Sequence, residues 1–182
     1  MKNILFLSDI HYKGTNIVSE DMVINAFWKD LKMVFEGIEY NDRYCIIAGD
    51  LSCNGTYDNM QRFASGFHKH LTTIIPSKHI AYIPGNHDLN REYISNNKKL
   101  YEDEESKLLN CTEDEFDKEI DSSSLLSKFK FFNDFCKDDI SIDGFNIIAY
   151  EHKISSDVSI YMLNYCSFIA RWFRWTYRYS YP

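Results

Sequence analysis

Glycine and proline are scarce in this 182-residue chain, at seven and three residues. No Gly/Ser-rich or Pro-rich stretch offers a linker, and no segment repeats itself. Basic charge is in the minority as well, with 20 Lys and Arg against 27 Asp and Glu and a net charge of −7. This balance excludes a general attraction to nucleic acid or to an anionic membrane, and it leaves room only for a local basic or metal-bearing groove. Long apolar runs are missing too. The N-terminal run Ile4-Leu5-Phe6-Leu7 is too short for a signal-peptide core and far too short to span a membrane. Among the five cysteines (Cys45, Cys53, Cys111, Cys136 and Cys166) no pair has CxxC spacing, so neither a zinc knuckle nor a disulfide framework is indicated. Reduced thiols and a cytoplasmic location are the expectation.

What the chain does have is a globular composition, 45% apolar and 16% aromatic, at a length suited to one domain with a substantial core. Short unalternated apolar runs at 3–8, 44–48, 79–83, 145–150 and 159–163 read as strands buried on both faces. Between the first two, Val23, Phe27, Leu31, Val34, Phe35 and Ile38 recur at helical spacing, with Ser19 and Asp21 as caps before them. Between the second and third, Met60, Phe63, Ala64, Phe67 and Leu71 do the same. This alternation predicts an α/β fold with a parallel sheet. The stretch 89–124 carries Glu102-Asp103-Glu104-Glu105 and a second acidic cluster from Asp114 to Asp121. It reads as a surface insertion with helical pieces, its charge a solvated face, and its position suggests a cap. From Leu125 to Cys136 a helical register returns the chain to the core.

Three short motifs each follow one of the first three strands: Asp9-Ile10-His11, Gly49-Asp50-Leu51 and Gly85-Asn86-His87-Asp88. The carboxyl ends of the strands in an open α/β sheet face one crevice, so Asp9, His11, Asp50, Asn86 and His87 are predicted to meet there. In an extended chain residues i and i+2 share a side, which lets Asp9 and His11 hold one ion together. Carboxylate, amide oxygen and imidazole suit Mn, Fe, Zn or a similar divalent ion without choosing among them. The two oxygens of Asp50 are enough to bridge a pair of ions, which at about 3.5–4 Å apart would activate a water and neutralise phosphoryl oxygens. Gly49 and Gly85 let the backbone turn or approach closely with no Cβ in the way. His68 and His70, two apart on a helix, read as exposed, His79 as structural, and His152 as an ordinary surface or strand-end histidine.

Asp-x-His and Gly-Asp carry little information singly; the ordered trio on three strand ends carries much more. Together with their neighbours, Leu7-Ser8-Asp9-Ile10-His11, Ala48-Gly49-Asp50-Leu51-Ser52 and Ile83-Pro84-Gly85-Asn86-His87-Asp88, they make residues 1–164 resemble the calcineurin-like metallophosphoesterase family. The resemblance implies a layered α/β/β/α sandwich and a metal-dependent phosphoester hydrolase, a phosphomonoesterase or phosphodiesterase, using a metal-activated hydroxide at a dinuclear site. It implies that Asp9 and His11 bind the first ion, Asp50 bridges both, and Asn86 binds the second. His87 would protonate the leaving-group oxygen or stabilise the phosphate, and Asp88 would orient His87 by a hydrogen bond. The substrate would be a phosphoester, whether a small molecule, a nucleotide or a nucleic acid, with no membrane involved. Oligomeric state has no signal in the sequence.

The resemblance has a gap. The family completes its site with a further histidine and a Gly-His-x-His motif after the Asn-His-Asp segment, and here only His152 follows His87. The last 18 residues, 165–182, hold eight aromatics, two of three tryptophans and three of six arginines with no acidic residue. A fold incomplete at its C-terminus, through a broken or truncated gene, is the expectation. The alternatives are an inactive remnant or binding module of the family, and a tail on which nucleic-acid bases stack.

Overall fold

The computed structural model describes residues 1–14, 18–112, 115, 118, 124–142 and 145–164. The aromatic tail at 165–182 and most of the acidic cluster at 114–121 lie outside the described residues. The second apolar run becomes β2 (Arg43–Ala48), the central strand of a three-stranded sheet between β1 (Asn3–Leu7) and β3 (Ile80–Ile83). Tyr44, Cys45, Ile46 and Ile47 are all buried, as an unalternated run in a sheet covered on both faces requires. Both pairings are parallel, with Leu5 opposite Cys45 and Ile47 opposite Tyr82, so all three C-terminal ends open on one side.

Helices cover one face of this sheet. From α1 (Val18–Val34) the chain buries Trp28, Leu31 and, just past the helix, Phe35. The seam runs through Ile24 and Phe27 as well, while Val23 and Val34 of the expected stripe face solvent. Ser19 and Asp21 lie within the described span of α1. Next, α2 (Tyr57–Phe63), capped by the Thr56 hydroxyl, runs through a π-helical turn at Ala64–His68 into α3 (Lys69–Leu71). Met60, Phe63, Phe67 and Leu71 are buried as predicted. The wide turn shifts the helical phase, and the two histidines expected on the outside turn inward. His68 Nδ1 lies 2.6 Å from the Tyr82 hydroxyl, and the His70 ring stacks on Trp28 with centroids 4.3 Å apart. His79 is structural as expected, stacked on Tyr44 and bonded through Nδ1 to the Arg43 carbonyl.

The other face carries an antiparallel pair, β4 (Ala149–Lys153) and β5 (Ser159–Leu163), whose Tyr150 and Met162 pack on Ile46 and Ala81. Helices, parallel sheet and antiparallel pair are thus three successive layers of an α/β fold. Two expectations change here. The fourth strand begins at Ala149, not Phe145, and it alternates, with Tyr150 and His152 inward and Glu151 and Lys153 outward, because only one face is covered. His152 is accordingly buried and not a surface histidine. The Tyr150 hydroxyl accepts from the Tyr82 N–H at 2.8 Å and donates to the Tyr82 carbonyl at 2.9 Å, occupying both groups on the free edge of β3.

Residues 91–110 form α4 (Arg91–Asn96) and α5 (Lys98–Asn110), which gather Tyr93, Ile94, Cys111 and Ile148 around Tyr101 in a small cluster of their own. The chain then rejoins the main core through a 3-10 helix (Ser124–Phe129) and α6 (Lys130–Asp134). Among the described residues no helix is long and apolar enough to cross a membrane.

Candidate metal centre

Beyond the sheet the strand-end loops stay paired. The N–H groups of Asp9, His11 and Tyr12 donate to the carbonyls of Gly49, Asp50 and Leu51 at 3.2, 2.9 and 2.9 Å, and Gly49 N–H donates to the Ile83 carbonyl at 2.9 Å. The segments after β1, β2 and β3 are therefore held side by side, as the strand-end argument requires. Their local geometry is not extended, however. Asp9, His11 and Asp50 have φ of 54°, 47° and 53°, left-handed values that strain any residue with a Cβ. Asp9 and His11 do come together, with Oδ1 3.9 Å from Nε2, but through two left-handed turns and not through alternation along a strand. Three strained residues clustered at one loop junction mark a functional site more often than a structural one.

Asp50 forms the floor of the site and Asp9 its open rim, their side chains 12% and 70% exposed. One Asp50 oxygen, Oδ2, lies 3.8 Å from His11 Nε2; the other, Oδ1, accepts the main-chain N–H of His87 at 2.9 Å. Close approach explains the adjoining glycines. A Cβ on Gly85 would overlap Asp50 Oδ1, and one on Gly49, whose φ is 90°, would stand 3.1 Å from the Gly85 Cα.

The Asp88 N–H donates to the Gly85 carbonyl, closing a turn with Asn86 and His87 at its tip, Asn86 exposed and His87 half-buried. The His87 ring meets the His11 ring edge to face at 4.6 Å. Potential ligand atoms of His11, Asp50 and His87 all lie within 4.8 Å of one another, a donor set that fits a divalent cation.

The orientation of His87 departs from expectation. Its Nδ1 is 3.0 Å from the carbonyl oxygen of Cys53. Asp88 is fully buried beneath the loops, and its carboxylate accepts from the N–H groups of Leu51, Ser52 and Gly85 and from the Ser52 hydroxyl at 2.9–3.2 Å. Burial pushes the Asp88 pKa up while those backbone donors pull it down. Asp88 therefore fastens the second motif to the third, and Cys53 holds the ring. Neither Ser52 nor Cys53 was singled out by the motifs, since the contacts run between loops more than thirty positions apart (36 for Ser52 with Asp88).

His152 does not reach this site. It lies near His79 at the opposite, N-terminal end of β3, in a cleft of about 900 Å³ lined also by Lys78 and Lys153. Its Nε2 is buried without a hydrogen-bond partner, and burial, with His79 nearby, lowers its pKa.

The family model described as calcineurin-like phosphoesterase matches residues 2–164. A search of curated proteins and a search of solved structures each return no match.

Proposed function

The chain belongs to the calcineurin-like phosphoesterase family, and we propose that it hydrolyses a phosphomonoester or phosphodiester at a dinuclear centre built on Asp9, His11, Asp50 and Asn86. The observation that supports this most is the convergence of three strand-end loops on one point, two of them carrying the strained Asp9, His11 and Asp50, with His11, Asp50 and His87 within 4.8 Å. In this reading Asp9 and His11 hold one ion, Asn86 holds the second, and Asp50 reaches both. When bound, such ions would activate water and offset charge on the phosphoryl oxygens.

The chain's own residues supply the rest. A carbonyl only accepts, so the Cys53 contact places a proton on His87 Nδ1 and leaves Nε2 as the atom presented to substrate. A protonated His87 would deliver its Nε2 proton to the departing oxygen. Asp88 keeps both loops in register from below. We assign residues 1–164 to the catalytic domain and 89–124 to a cap that would bias substrate choice, since loops and not the fold set specificity.

A second reading has its own support. Among the described residues no further histidine approaches the site, which favours a binding module with a partial ligand shell. Purified protein assayed on p-nitrophenyl phosphate and bis-p-nitrophenyl phosphate with Mn²⁺ separates the two. Turnover lost in Asp50→Asn and His87→Gln supports the hydrolase; no turnover, with fewer than two ions bound per chain, supports the module.

A further inference from the structure

We propose that Cys53 is a positioning residue for His87, an inference that rests on His87 being the proton donor of the reaction above. Cys53 belongs to none of the three motifs, yet it touches two of them. Its carbonyl oxygen accepts a hydrogen bond from His87 Nδ1–H, and its thiol Sγ lies 2.8 Å from the His11 carbonyl oxygen, to which it donates. The carbonyl stays where it is because the residue is pinned from both directions. On one side the thiol joins it to the loop after β1. On the other, Ser52 is tied through its N–H and its hydroxyl to Asp88 Oδ1 at 3.0 and 3.2 Å.

The thiol therefore continues the ladder begun by His11 N–H on Asp50 and Tyr12 N–H on Leu51, and it adds a cross-link at the point where the His87 ring is set. With His11 and His87 in edge contact at 4.6 Å, a shift of residue 53 turns the donor ring relative to the ligand ring. Asp88 acts on the donor through this backbone and through the Gly85–Asp88 turn that carries it. A thiol is a weak donor that a hydroxyl can replace and a methyl group cannot, which gives the proposal a sharp test.

Cys53→Ser, Cys53→Ala and Cys53→Val are compared with the parent on p-nitrophenyl phosphate and phenyl phosphate with Mn²⁺. A misaligned proton donor hurts most where the departing oxygen is basic. We expect Ala and Val to lower kcat on phenyl phosphate by about tenfold and on p-nitrophenyl phosphate by less than about threefold, with KM unchanged. Ser should stay within about twofold of the parent on both. His87→Ala should show the same leaving-group dependence, and adding Cys53→Ala to it should cost nothing more. Equal losses on both esters, or a loss confined to KM, would overturn the proposal. Histidine side-chain ¹⁵N NMR on metal-free protein gives a readout independent of turnover: a Nδ1–H tautomer at His87 in the parent and in Ser, and a mixture in Ala. The parent tautomer persisting unmixed in Ala would also overturn it. A parent chain that hydrolyses neither these monoesters nor bis-p-nitrophenyl phosphate sinks the proposed function, and the NMR comparison then decides the role of Cys53 alone.

Discussion

The main-chain N–H of His87 donates to Asp50 Oδ1 at 2.9 Å, so the turn that presents the proposed proton donor is fastened to the carboxylate proposed to reach both ions. Metal binding and donor placement are one mechanical unit. A change that displaces the Asp50 carboxylate should move His87, and the reverse should hold as well.

Gly85→Ala tests that unit most directly. The added Cβ would overlap Asp50 Oδ1 and crowd the Asp50 N–H, neither of which can retreat while Asp50 is buried and Asp9 and His11 are paired alongside. We expect a folded protein destabilised by about 1–3 kcal/mol, with hydrolysis reduced far more than that figure suggests. Thermal unfolding alongside kcat/KM checks this; a variant with parent activity would show that the Gly85 contact is dispensable.

Asp50→Asn separates charge from shape. The amide oxygen can still accept from His87 N–H, so the melting temperature should stay close to that of the parent. Loss of the carboxylate charge should weaken Mn²⁺ binding by at least about 100-fold, beyond what a change in a supporting residue costs. Calorimetric titration with Mn²⁺ measures it, and removing metal from the parent with a chelator should abolish turnover that added Mn²⁺ restores.

The reach of sequence reasoning shows in these same residues. The three strands, their parallel order and the convergence of Asp9, His11, Asp50 and His87 follow from apolar runs and from the rule that strand ends share a crevice. The left-handed backbone at Asp9, His11 and Asp50 does not follow, because none of these is a residue type that announces such a turn as glycine does. Partners of Asp88 were hidden for another reason. A buried carboxylate takes whatever donors the neighbouring loop offers, and that loop lies 36–37 positions away. His68 and His70 were misplaced because a π-helical turn changes the phase of their helix without any composition signal.

Tyr150→Phe should destabilise the junction of the two sheets. Its hydroxyl occupies both the N–H and the carbonyl of Tyr82 on the edge of β3, and both groups are buried. The ring would still pack on Ile46 and Ala81, so only the polar contacts are lost. Leaving the two backbone groups unsatisfied costs about 1–3 kcal/mol, read as a lower urea midpoint with an unchanged m-value. Unaltered stability would mean that water or another group replaces the hydroxyl freely.

His68 should make the fold sensitive to acid. Burial lowers its pKa to about 4 from the ordinary 6.5, and its Nδ1 faces the hydroxyl of the fully buried Tyr82. The folded state thus favours the neutral ring, whereas the unfolded chain takes up a proton near 6.5. Stability from this group is complete above the unfolded value and is lost as pH falls from 6.5 towards about 4. At pH 5, with a discount for the part of the ring that water screens, the loss is roughly 1–2 kcal/mol. Unfolding free energies for the parent and for His68→Gln, measured from pH 7.5 to 4.5, should converge at the acid end, since glutamine keeps a polar group near Tyr82 and cannot be protonated. Parallel curves would place the acid sensitivity elsewhere, with His152 and His79, both also lowered by burial, next in line.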